Sequence, residues 1–212
     1  MTIDGLLDAY AHKREAIRAR LAEFEETYRR GDQAIFEELV FCIFTAGASA
    51  RMGLKCIEAV RPVLLTGDRG AIESTIQRHH LYPSARAAYV VHTRDYLAGL
   101  CGLRMRELIE SVPGHYERRR FFAENKDVKG IGYKEASHFL RNIGFRGYAI
   151  LDKHILRSLH EFGVLQSAAP PRNAKQYLEY EARMKQWADE IGIDFDELDL
   201  LLWSNRTGEI LK

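Results

Sequence analysis

Cysteine is scarce in this chain. Cys42, Cys56 and Cys101 are the three present in 212 residues, and no two are spaced as a Cys-x-x-Cys pair. Structural zinc sites and iron–sulfur clusters take their ligands from closely spaced Cys and His. Neither is expected, and no metal or other cofactor is called for. The three thiols, each among apolar neighbours, read as buried side chains. Long apolar runs are also missing: nothing approaches the roughly 18 unbroken apolar residues of a membrane span. The opening MTIDGLLDAYAHKREAIRARL is charged and amphipathic, unlike a secretory signal. A soluble, cytoplasmic protein with no membrane partner is the expectation. Net charge is nearly absent too, at +1, so the sum does not mark a nucleic-acid binder. Strict apolar–polar alternation is rare; residues 147–151, GYAIL, are the one stretch that reads as extended. No repeat or low-complexity segment stands out.

What is present is helical periodicity. Apolar residues make up 46% of the chain, enough for a sizeable core. The length suits one compact domain, or two small helical lobes flanking a cleft. Residues 3–30 carry apolar positions at helical spacing, and 33–46, QAIFEELVFCIFTA, form an apolar run long enough for a buried helix. After a Gly-Ala-Ser-Ala break, RMGLKCIEAVRPVLL resumes helical spacing. Pro83 opens a helix that Gly99 and Gly102 punctuate, and a short helix is expected over 104–111. HYERRRFFAEN, AILDKHILRSLHEFG, YLEYEARMKQWADEIG and the C-terminal FDELDLLLW segment read as further helices. The fold class predicted is all-α, with nine or more helices.

Charge is unevenly spread. Over 115–160, ten Lys and Arg stand against five acids; over 179–199, eight acids stand against Arg183 and Lys185. Such asymmetry suits a basic face on a nearly neutral molecule. Within the basic stretch lies Val128-Lys129-Gly130-Ile131-Gly132-Tyr133-Lys134-Glu135-Ala136. Two glycines two apart permit a tight turn or a close backbone approach. Ala136, Phe139, Leu140 and Ile143 then repeat at helical spacing, so a helix starts just after Gly132. Unpaired N–H groups at that start suit a phosphate without reading sequence. Lys129, Gly130, Ile131 and Gly132 are therefore the candidate DNA-binding residues, with Arg141 and Arg146 as possible additions. Taken alone, Gly-x-Gly is equally a plain loop between helices.

The segment resembles the hairpin of the helix-hairpin-helix DNA glycosylase superfamily. KGIGYKEASHFLRNIG followed by AILDKHILRSL is similar, more narrowly, to the second family of 8-oxoguanine DNA glycosylases, best known from archaea. That resemblance implies a single glycosylase domain over 1–212, built of two helical subdomains, with the hairpin motif over about 118–144. It implies Lys134, two residues after the second glycine, as the nucleophile. It implies Asp152, 18 residues later, as the partner carboxylate. Asp152 also suits a helix cap, and both roles can hold together. Members of the family end on a lysine with a tryptophan about nine residues earlier, as Trp203 and Lys212 stand here. The resemblance gives those two base recognition, while plain core for Trp203 and a frayed terminus for Lys212 are the simpler alternatives. It also brings the 48–50 break and Tyr82 or Arg86 toward the DNA gap. His138 and His154 read as packed or solvated side chains.

The resemblance thus implies a monomeric glycosylase and AP lyase acting on double-stranded DNA containing oxidised guanine. The four-cysteine cluster of endonuclease III-type relatives is absent, and the chain has no room for the extra β domain of the larger mammalian-type enzymes. Two rival readings stay open: the same chemistry on another damaged base, and a non-catalytic helix-hairpin-helix DNA-binding module. The Lys134–Asp152 pair speaks against the second, because grip alone needs neither.

Overall fold

The structure, a computed structural model, describes residues 2–211. Among them are eleven α-helices, one 3-10 turn and no strand. The all-α expectation holds. No helix is long and apolar enough to cross a membrane among the described residues. The chain divides into two compact units, Glu26–Phe139 and Met1–Glu25 with Leu140–Lys212.

The Glu26–Phe139 unit is built around α2 (Asp32–Thr45), which packs on α3 (Ala50–Val60), α5 (Pro83–Cys101) and α6 (Met105–Ser111). Ten of the residues of α2 are buried, from Ile35 to Thr45. A helix apolar on all sides needs neighbours all round, and these helices supply them. Gly53 on α3 permits the tight approach: a Cβ there would lie 2.5 Å from Thr45 Cγ2 and 2.9 Å from Phe41. The 3-10 turn Arg61–Val63 and α4 (Arg69–Ile76) link α3 to α5. The Asp68 carboxylate caps α4 by accepting from Ala71 N at 2.8 Å. Pro83 stands at the start of α5, and left-handed Gly102 ends it.

The unit closes with α7 (His115–Glu124), a glycine hairpin and α8 (Tyr133–Asn142). Phe122 and Phe139 meet edge-to-face at 4.8 Å. Arg119 is fully buried, with its guanidinium over the Tyr116 and Tyr133 rings at 5.9 and 5.8 Å and Nη1 donating to Ser137 Oγ at 3.3 Å. Tyr133 OH donates to Glu124 at 2.6 Å. Burial, and then that carboxylate, push the Tyr133 phenol up to about 12, so it stays a donor. These contacts brace the two helices against each other across the hairpin.

In the other unit, α11 (Phe195–Thr207) packs on α9 (Lys153–Glu161) and α10 (Ala174–Ile191). The start of α1 (Ile3–Arg29) belongs here as well, through Tyr10 and Arg18, which donate to Glu197 at 2.6 and 2.8 Å. Half of the acids in the stretch 179–199 turn inward: Glu181, Asp196, Glu197 and Asp199 are buried, while Glu179, Asp189, Glu190 and Asp194 are exposed. Residues 147–151, expected to be extended, form no strand: Gly147 has φ +85, and the Ile150 carbonyl accepts from Asp152 N in a three-residue turn. Their amides are met by the buried carboxylates, Gly147 N donating to Asp196, Ala149 N to Glu181 and Ile150 N to Asp199.

Candidate active site

The hairpin is anchored from both sides. Val128 and Ile131 are buried, and Lys129 N donates to Thr93 Oγ1 on α5 at 2.9 Å. His92, also on α5, meets Asp127 at 3.0 Å. The two glycines do different work. Gly130 has φ +75, and a Cβ there would lie 2.8 Å from the Tyr89 ring, so both its conformation and its space demand glycine. Gly132 has an ordinary φ and serves as the N-cap of α8, its carbonyl accepting from Ala136 N at 2.9 Å. The Glu135 carboxylate reaches back to Gly132 N at 3.2 Å, the reciprocal half of a capping box.

Lys134 stands in the first turn of α8, 30% exposed at its side chain. Its Nζ lies 2.9 Å from Glu135 Oε1, so one carboxylate both caps the helix and holds the lysine. The sequence carries a signal for Glu135 that its segment does not advertise: a glutamate at the third helical position after the expected start.

Two further loops of the same unit reach the hairpin's surroundings. Arg86 donates to the Ala46 carbonyl, lies 5.7 Å from the Tyr89 ring, and has Nη1 3.4 Å from where a Gly130 Cβ would sit. Ser49, within the 46–50 break, caps α3 by accepting from Met52 N at 3.2 Å. Leu81 and Tyr82 are exposed, at 72% and 62%. Buried His80 fixes them: its Nε2 donates to the Phe44 carbonyl at 2.9 Å, and its Nδ1 accepts from Tyr82 N at 2.9 Å. Those bonds require the neutral ring, and burial lowers its pKa in that direction. Two apolar tips on a rigid base thus project beside the arginine that contacts the hairpin. His138, by contrast, is packed edge-on against Phe41 at 5.5 Å.

Asp152 lies in the other unit, as the N-cap of α9. It accepts from His154 N at 2.8 Å and Ile155 N at 2.9 Å, both on Oδ1, which leaves Oδ2 outside the cap. Capping is therefore real, and Oδ2 takes no part in it. Trp203 is half-buried on α11, not sealed in the core. Lys212 lies outside the described residues. Arg141 is not a phosphate contact: it is buried, with Nη1 3.1 Å from Asp199. Arg146 is exposed and paired with Glu25 at 2.9 Å. No group of three or more His, Cys, Asp or Glu suits a metal ion among the described residues.

A family profile described as 8-oxoguanine DNA glycosylase matches residues 17–193. This chain belongs to the 8-oxoguanine DNA glycosylase family. Curated relatives named 8-oxoguanine DNA glycosylase/AP lyase include the Korarchaeum cryptofilum protein, 38% identical over 94% of this chain and 91% of its own length. The Methanocaldococcus jannaschii protein is 34% identical over 94% of this chain and 93% of its own. A crystal structure of the M. jannaschii glycosylase/lyase, in complex with 15mer DNA containing 8-oxoguanine, matches with a TM-score of 0.90 at 32% identity, over 99% of both chains. The 8-oxoguanine DNA glycosylase of Thermotoga maritima matches with a TM-score of 0.88 at 29% identity, over 99% of this chain and 98% of its own.

Proposed function

We propose that this chain is an 8-oxoguanine DNA glycosylase and AP lyase, with Lys134 as nucleophile and Asp152 as its partner carboxylate. The observation that carries the reading is a lysine in the first turn of the helix that follows a glycine hairpin, in a chain of this family. Phosphate binds the hairpin at Lys129–Gly132, beside the first turn of α8, whose N–H groups lack intrahelical acceptors. Trp203 and Lys212 contribute to recognition of the oxidised base. The chain acts as a monomer and needs no iron–sulfur cluster.

A base inside a duplex shields its own sugar, so the nucleotide is first flipped out at a cost of a few kcal/mol. Phosphate contacts, and Leu81 and Tyr82 entering the vacated stack, offset that cost. A protonated lysine is no nucleophile, so Lys134 attacks as the free amine. The nitrogen lone pair forms a bond to C1′, and the C1′–N9 pair leaves with the base, which takes up a proton. Asp152 Oδ2 stabilises the positive charge that grows on the sugar as that bond breaks. Loss of a proton from Nζ and opening of the ring at O4′ give the Schiff base. Removal of a C2′ proton then expels the 3′ phosphate, which nicks the strand.

The experiment is strand cleavage on three duplexes, carrying 8-oxoguanine, guanine or a preformed abasic site, with wild type and Lys134→Gln. Cleavage by wild type of the first and third, lost in Lys134→Gln, supports the reading. Cleavage of the abasic duplex alone rejects 8-oxoguanine as substrate. No cleavage by wild type, with binding intact, leaves only a DNA-binding module.

A further inference from the structure

The segment leading into Asp152 is held almost entirely by side chains. Gly147 N donates to Asp196 Oδ1 and Ala149 N to Glu181 Oε2, each at 2.8 Å. Leu151 N donates to the Tyr177 hydroxyl at 3.3 Å, and that hydroxyl donates to the Ala149 carbonyl at 2.7 Å. The decisive bonds are at Ile150. Its N–H donates to Asp199 Oδ1 at 3.2 Å, and its carbonyl accepts from Asp152 N at 2.7 Å. Asp152 is thus fixed on Ile150, and Ile150 on Asp199. The other oxygen of Asp199 is held by Arg141 Nη1 at 3.1 Å, and Arg141 lies over the Phe24 ring at 4.9 Å. Both members of the pair are buried.

We propose that Asp199, locked by Arg141, is a positioning residue that aims Asp152 at the reacting sugar. The proposal rests on the reading of Asp152 given above. An ordinary strand neighbour would hold the segment through backbone groups and leave its register free to slip. A carboxyl group held from behind by a guanidinium fixes one amide at one place. Asparagine keeps the shape but cannot accept from both donors, because its amide nitrogen must face either Arg141 or Ile150 N. Misplacement of a reacting group by an ångström costs on the order of 10²-fold in rate.

The test uses the full chain with Asp199→Asn, Asp152→Asn and the double variant, in single-turnover excision from a duplex containing 8-oxoguanine. Duplex affinity and amide hydrogen exchange are measured alongside. Asp199→Asn is expected to slow excision by about 10–10²-fold with duplex affinity unchanged, and to speed exchange at the Ile150 and Asp152 amides. The double variant is expected to be no slower than Asp152→Asn, because Asp199 acts only through Asp152. Full rate in Asp199→Asn, or losses that multiply in the double variant, overturns the proposal. A fully active Asp152→Asn removes the reading of Asp152 itself, and the proposal with it. Should Asp199→Asn not fold, Arg141→Lys keeps a cation against Asp199 and is judged by the same rate, exchange and double-variant criteria.

Discussion

At the scale of single residues, the hairpin shows why one glycine of a pair is fixed and the other is not. The Gly-x-Gly pattern marks the turn, but it cannot say which glycine carries the strain. That depends on Tyr89, some forty residues earlier in the chain, whose ring occupies the space a Gly130 side chain would need. An alanine at Gly130 meets two penalties: a left-handed backbone, roughly 1–2 kcal/mol for a residue with a Cβ, and the ring itself. Gly130→Ala is expected to lower thermal stability and weaken duplex binding together, read by melting temperature and by affinity for an undamaged duplex. Gly132→Ala meets only the tip of the Glu135 side chain, at 3.3 Å, and is expected to cost less. Equal losses at the two positions would contradict this account. The role proposed for Lys134 comes from the resemblance, which puts a nucleophile two residues after the second glycine; Glu135 beside it is visible as a capping residue once the helix start is fixed.

At the scale of elements, most helices were legible from periodicity and punctuation. Pro83 and Gly102 bound α5, and the apolar run 33–46 gave α2. Helix α4, over Arg69–Ile76, passed unseen, because eight residues with two buried isoleucines offer little periodicity. Residues 147–151 read as extended in sequence but form no strand, and their partners were not legible: Glu181, Asp196 and Asp199 lie thirty to fifty residues away and look, in sequence, like part of a solvated acidic run. The observed cap and the catalytic role proposed for Asp152 separate at this scale. Asparagine caps a helix about as well as aspartate, whereas alanine costs about 1 kcal/mol. Asp152→Asn is expected to keep the melting temperature and lose excision rate, and Asp152→Ala to lose both. Thermal melts and single-turnover rates measure the two; an Asp152→Asn enzyme with full rate would leave Asp152 as a cap only.

At the scale of the whole molecule, buried carboxylates make stability depend on pH. Burial pushes Asp199 up to about 7, against the pull of Arg141 and the Ile150 N–H. A carboxyl whose folded pKa exceeds its unfolded one binds more protons in the folded state, so its contribution to stability falls as pH rises from about 4 to about 7. Denaturant unfolding of wild type and Asp199→Asn at stepped pH isolates that group: the stability of wild type relative to the variant is expected to decline across this window and level off above it. A difference that stays flat or rises would contradict the burial argument. The all-helical fold of the described residues follows from pattern, but the placement of each acid within it follows from tertiary contacts that no local pattern encodes. The central claim concerns one nitrogen atom, and borohydride trapping tests it most directly. Enzyme is incubated with a duplex carrying a single 8-oxoguanine, reduced, and digested with trypsin. The account predicts a covalent adduct on the peptide spanning residues 130–141, with cleavage after Lys134 blocked, and no adduct with Lys134→Gln. An adduct that maps to another lysine, or that persists in Lys134→Gln, would contradict it.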